Sequence, residues 1–200
     1  MKTFKYGQKE IEYLTKKDKI LGQAVKEIGM ISREVNPDIF SALISSIIGQ
    51  QISTKAAITV EGRMLELLGE IKAENIEQTS LEEIKGCGMS LRKAGYIKDI
   101  ALAYLEQTIN FDHLHLLSDQ EIIEELTKLK GVGEWTAEML LIHSLERPDV
   151  LSYKDLGIRR GIMRLYGLEQ LTKADFENYR KAYSPYSTVA SLYLWEISKN

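Results

Sequence analysis

Leu129-Lys130-Gly131-Val132-Gly133-Glu134-Trp135-Thr136-Ala137 is the stretch that decides the fold. It joins an acidic helical segment, Glu121 to Lys128, to an apolar one beginning at Glu134, through a Gly-Val-Gly turn. The pattern is a helix-hairpin-helix over about residues 121–146. Glycine reaches backbone angles barred to other residues and lets a ligand approach the chain. The N–H groups that open a helix lack intrahelical partners and sit at the positive end of its dipole, so a phosphate suits them. Gly-x-Gly alone describes many plain turns. The fuller Leu-x-Gly-Val-Gly-x-x-Thr-Ala is far more restrictive, because apolar and small residues hold the two helices together. Gly131, Val132, Gly133 and Thr136 are therefore candidate phosphate contacts.

Downstream lies Lys154-Asp155-Leu156-Gly157-Ile158-Arg159-Arg160. A helix from Glu134 to Glu146 rises roughly 20 Å at 1.5 Å per residue. The loop from Arg147 to Lys154 stretches about 26 Å at most. It can return the chain to the hairpin end and set Asp155 beside a bound phosphodiester, at the start of another helix. Asp is also a common N-cap. The two roles are compatible, since a cap fixes the carboxylate. Lys154, Arg159, Arg160 and Arg164 around one acid, Asp155, make a local charge of +3. Arg160 and Arg164, four residues apart, repel each other and gain from an anion nearby.

Working outward, the chain reads as helical almost throughout, an all-α fold. Ile39, Leu43, Ile44, Ile47 and Ile48 mark one buried helix face. Ile58, Leu65 and Leu68 predict another over residues 53–68. Ser80 to Glu83 and Ser118 to Glu121 match the capping box. Further helices are predicted over 91–105, 156–165, 173–183 and 188–197, and no stretch alternates with period two. Ile84-Lys85-Gly86-Cys87-Gly88 echoes the hairpin turn. The 200 residues carry a net charge of −3, which argues mildly against a nucleic-acid partner, although local charge outweighs the sum. A single cysteine excludes an internal disulfide and a four-cysteine metal cluster. No apolar run is long enough to span a bilayer and no signal core follows Met1, so an intracellular protein is expected, in the cytoplasm and nucleoid of a prokaryote or the nucleus of a eukaryote. His113 and His115 read as loop residues and His143 as mid-helix, all without metal-ligand company.

These segments resemble the helix-hairpin-helix (HhH-GPD) DNA glycosylase superfamily, and within it the alkylpurine branch of the bacterial 3-methyladenine DNA glycosylase II type. The resemblance runs from about Ile39 to Trp195. Its other anchors are Ser45 to Lys55, Trp135-Thr136-Ala137, and Ser184-Pro185-Tyr186-Ser187 through Trp195. It implies two helical lobes flanking a base-binding cleft: residues 39–147 with the hairpin, and 1–38 plus 148–200 with the aspartate segment. It implies that Asp155 is catalytic and that Gln50 or Gln51 fills the gap left by a flipped base. Trp135 and Trp195 are the first candidates to stack on the base, with Tyr186 and Tyr193 after them. Met139 stands where longer members have a pocket aromatic. Arg159 and Arg160 are candidate backbone contacts. The resemblance also allows a structural sodium or potassium ion on the Leu129 and Gly131 carbonyls, with no other cofactor. Trp135 occupies the place of the Schiff-base lysine of bifunctional members, so lyase activity is expected to be absent.

The chemistry agrees. A base inside a duplex must be flipped out before it can be excised. A purine alkylated at N3 or N7 is cationic, so its glycosidic bond is already weak and it stacks on electron-rich rings. One carboxylate then suffices, to stabilise oxocarbenium charge or to orient water. The expectation is a monomeric, monofunctional glycosylase removing alkylated purines from double-stranded DNA. The alternatives are a glycosylase for a neutral lesion (hypoxanthine, uracil or an oxidised purine) and a non-catalytic DNA-binding module.

Overall fold

A computed structural model describes residues 2–199. In chain order the elements are β1 (Lys2–Thr3), α1 (Gln8–Lys17), α2 (Lys19–Ile28), β2 (Glu34–Val35), α3 (Ile39–Gly49), α4 (Thr54–Leu68), α5 (Ala73–Gln78), α6 (Leu81–Gly86), α7 (Leu91–Leu105), a 3-10 turn (Phe111–Leu116), α8 (Asp119–Leu126), α9 (Glu134–His143), α10 (Leu156–Tyr166), α11 (Lys173–Tyr183) and α12 (Ser187–Ile197). Among the described residues no helix is long and apolar enough to cross a membrane. The chain divides into residues 1–35 with 141–200, and residues 36–140, so the boundary falls inside α9 rather than after it at 147. The divided unit carries a net charge of +5, from 17 basic and 12 acidic residues; the continuous unit carries −8, from 9 basic and 17 acidic.

In the continuous unit, α7 packs on α3, α5 and α6. Leu43, Ile44, Ile47 and Ile48 of α3 are buried as their spacing predicts. On α4 the expectation fails. Ile58 and Leu65 are 63% and 48% exposed, and the buried face is Val60 and Met64 instead. An apolar pair seven residues apart and a pair four apart both fit a helical stripe, and only packing chooses between them. His113 and His115 lie in the 3-10 turn, not in an irregular loop.

In the divided unit, α10 packs on α12, and α2 touches both. Gly161 lets α10 lie directly against α12: a Cβ there would lie 2.2 Å from the Leu194 carbonyl oxygen. Leu14, Leu21, Ile158, Ile162, Phe176, Tyr183 and Tyr193 form the core. The N-terminal segment is two helices. Asp18 closes α1 with its own N–H and caps α2 with its side chain. β1 and β2 pair antiparallel, Lys2 with Val35 and Thr3 with Glu34. Two-residue strands are too short to show a period, so this pairing had no sequence signal.

Candidate active site

The hairpin lies within the continuous unit up to Leu140. Ser118 and Glu121 start α8 with a reciprocal capping box. Gly131 then takes φ +85° while Tyr96 lies directly against it: a Cβ would come within 2.3 Å of the Tyr96 ring. Only glycine satisfies both demands. Gly133 differs, since a Cβ there would meet nothing within 4 Å. Val132 and Thr136 are buried, so their side chains hold the turn from inside. Trp135 is 38% exposed and Met139 is buried.

The turn is braced from α3. Gln50 Nε2 donates to the Gly131 carbonyl at 2.9 Å and lies 3.5 Å from Thr136 Oγ1. Lys93 donates to the Ile48 carbonyl at 2.9 Å and to the Gln50 carbonyl, placing its ammonium at the negative end of α3. Burial lowers the pKa of Lys93. Gln50 is thus occupied within the protein. Gln51, next to it, is exposed and holds φ +58°, a left-handed conformation uncommon for glutamine. The two neighbours that sequence left equivalent are structurally distinct. Neither Tyr96 nor Lys93 carried a motif, so both escaped the sequence reading.

Asp155 lies in the divided unit, 8% exposed, as the N-cap of α10. Its Oδ1 accepts the Ile158 N–H at 2.8 Å and the Trp195 Nε1–H at 3.0 Å. Both donors converge on one oxygen, so the carboxylate cannot rotate without breaking both. Gly157 makes this possible: a Cβ there would lie 2.8 Å from Trp195 Cδ1 and 3.1 Å from Asp155 Oδ1.

Around Trp195 stand residues that sequence did not connect with it. His143, at the end of α9, stacks on the indole at 5.5 Å with a 23° tilt. Burial and the Arg33 charge push its imidazole down to about 4, against an opposing pull from Asp155. The Arg33 guanidinium carbon is 5.7 Å from the Trp195 ring centroid, and Arg33 pairs with Glu196 at 3.7 Å. Position 33 lies 162 residues before Trp195 and carried no local signal.

Some predicted site residues are not brought together. Tyr186, the N-cap of α12, stands nine residues before Trp195, roughly 13.5 Å along the axis, and packs edge-on against Tyr13 at 5.2 Å. Arg160 is exposed, whereas Arg159 lies over the Tyr153 ring at 5.0 Å. Arg164 donates to the Ile197 and Ser198 carbonyls at the end of α12. Its charge serves a helix C-terminus, which revises the expectation that it would seek an outside anion.

Residues 44–185 match the family described as "HhH-GPD superfamily base excision DNA repair protein". The chain is 37% identical over 165 residues to DNA-3-methyladenine glycosylase 1 of Schizosaccharomyces pombe, covering 80% of this chain and 72% of that protein. Against the DNA-3-methyladenine glycosylase of Saccharomyces cerevisiae it is 33% identical, spanning 57% of that protein's length and 80% of its own. Among solved structures, an S. pombe 3-methyladenine DNA glycosylase in complex with abasic DNA superposes with a TM-score of 0.87 at 34% identity, covering 96% of this chain and 98% of that one. A hairpin turn that only glycine can make and a carboxylate held by two donors thus stand in a sequence matched from 44 to 185, and the chain belongs to the HhH-GPD superfamily of base excision DNA repair proteins.

Proposed function

We propose that this chain is a monofunctional DNA glycosylase, acting as a monomer, that flips alkylated purines of the 3-methyladenine and 7-methylguanine type out of duplex DNA. It hydrolyses their glycosidic bonds and leaves abasic sites. The observation that carries the reading is the Asp155 carboxylate, buried and held through one oxygen by Ile158 and Trp195. Such a group faces a developing oxocarbenium ion, or orients the attacking water, with little reorganisation.

A cationic leaving base needs little proton donation. His143, with its imidazole pushed down to about 4, is neutral near pH 7 and is assigned no acid role. Trp135 offers an exposed ring for stacking, and no amine at that position attacks the sugar. The backbone of Gly131 to Gly133 takes a phosphate, with Gly133 giving it room. Arg160 adds a contact that positions without reading sequence. Gln51, exposed and left-handed, fills the gap in the stack, while Gln50 stays on the hairpin. A sodium or potassium ion at the hairpin would share the Gly131 carbonyl with Gln50 and the Leu129 carbonyl with the Val132 N–H; no step depends on it.

The test is base release from methylated duplex DNA by wild type beside Asp155→Asn, with nicks scored before and after alkali. Methylpurines from wild type alone, and nicks only after alkali, support the proposal. DNA binding without release overturns the alkylpurine assignment. Nicks without alkali overturn the monofunctional one.

A further inference from the structure

α12 is buried from Ser187 to Leu194, and Val189, Leu192 and Leu194 are apolar as such a helix should be. Ser187, Thr188 and Ser191 break that rule, and each is fully buried. Buried hydroxyls are costly unless bonded. Each of these reaches the loop that ends at Asp155. Thr188 donates its N–H to the Pro148 carbonyl at 3.0 Å and its hydroxyl to the Arg147 carbonyl at 2.6 Å, and accepts the Val150 N–H at 2.9 Å. Ser187 donates N–H and hydroxyl to the Asp149 carboxylate, which also accepts from Ser184. The Ser191 hydroxyl lies 3.0 Å from the Val150 and Ser187 carbonyls. Four residues further along the helix, Trp195 donates to Asp155.

Positions 188, 191 and 195 share one helical face. The loop therefore runs along that face, and successive turns of α12 hold Arg147 to Val150 and then Asp155. Arg180 of α11 takes the remaining Leu151 carbonyl at 2.8 Å. We infer that Thr188, together with Ser187 and Ser191, is a positioning residue for Asp155: this face of α12 sets the path of the loop and so the place of the carboxylate. The inference rests on the proposed role of Asp155.

Thr188→Val keeps the volume and removes both hydroxyl bonds; Thr188→Ser keeps them. Misplacement of a reacting group by about 1 Å can cost on the order of 100-fold in rate. Single-turnover base release by Thr188→Val should therefore fall about 10- to 100-fold, with affinity for abasic duplex DNA within about twofold of wild type and Thr188→Ser near wild type. A second readout does not need activity. The chain has two tryptophans, so its spectrum holds two indole N–H resonances, assigned with Trp135→Phe. Thr188→Val should move the Trp195 resonance toward its place in Asp155→Asn, and Thr188→Ser should restore it. A rate that follows only the loss of folded protein, with the Trp195 resonance unmoved, overturns the inference. If wild type releases no base, the glycosylase reading fails, and the Trp195 resonance still decides whether Thr188 places Asp155.

Discussion

The turn at Gly131 and the loop ending at Asp155 are held by opposite means. Gly131 is fixed by what is missing: no Cβ, so Tyr96 can lie against the backbone and φ can be positive. Asp155 is fixed by what is supplied, two donors on its own oxygen and a row of hydroxyls along α12. The echo turn sharpens the contrast. Gly88, the second glycine of its Gly-Cys-Gly, takes φ +109° beside Arg63, whereas in the hairpin the first glycine does so and the second is unhindered. The same Lys-Gly-x-Gly pattern thus makes different turns. What distinguishes the hairpin is which glycine is open, the second, Gly133, where the echo leaves the first, Gly86, unhindered.

The largest effect should come from Asp155→Asn, which keeps the N-cap and removes the charge. Base release should fall on the order of 1,000-fold while abasic DNA still binds, measured by single-turnover kinetics and titration. Equal loss of binding would mean that the aspartate and the hairpin are not separable functions.

His143 tests the surroundings of Trp195. Its imidazole lies near 4 in the fold against 6.5 when unfolded, so the unfolded chain binds more protons below pH 6.5. The stability from keeping it neutral is present above pH 6.5 and disappears as pH falls toward 4, up to about 3 kcal/mol. His143→Phe should flatten that limb of the pH–stability curve. Unchanged acid sensitivity in urea melts from pH 7 to pH 4 would show that other groups dominate.

Gly131→Ala must take a left-handed angle and push Tyr96 aside, which costs about 2 kcal/mol, or roughly 4–8 °C in Tm for a chain of this size. Smallest is Gly133→Ala, within about 0.5 kcal/mol in stability because its Cβ meets nothing. Duplex DNA affinity should nevertheless fall. A Gly133→Ala protein that binds normally would remove the phosphate from this turn.

The difference in means also explains what sequence disclosed. A constraint of absence is local, so Gly131-Val132-Gly133 and the capping boxes were legible as strings. Asp155 was legible as an N-cap in a recognisable segment. Its support was not: Trp195, His143 and Arg33 meet it or one another, and Thr188 meets the loop before it, across distances no short pattern records. Ser187, Thr188 and Ser191 left one faint trace, polar residues spaced along the face of an otherwise apolar helix. Ile58 and Leu65 misled because their seven-residue spacing fits a helical stripe as well as the four-residue spacing of the buried Val60 and Met64 does.

The row of hydroxyls on α12 has a consequence for descent. A duplicated copy could retain the hairpin and the aspartate, exchange Thr188 for valine, fold, bind DNA and still be counted with the enzymes while turning over slowly. Drift toward a silent DNA-binding paralogue would then begin on the last helix, well before the aspartate itself was lost.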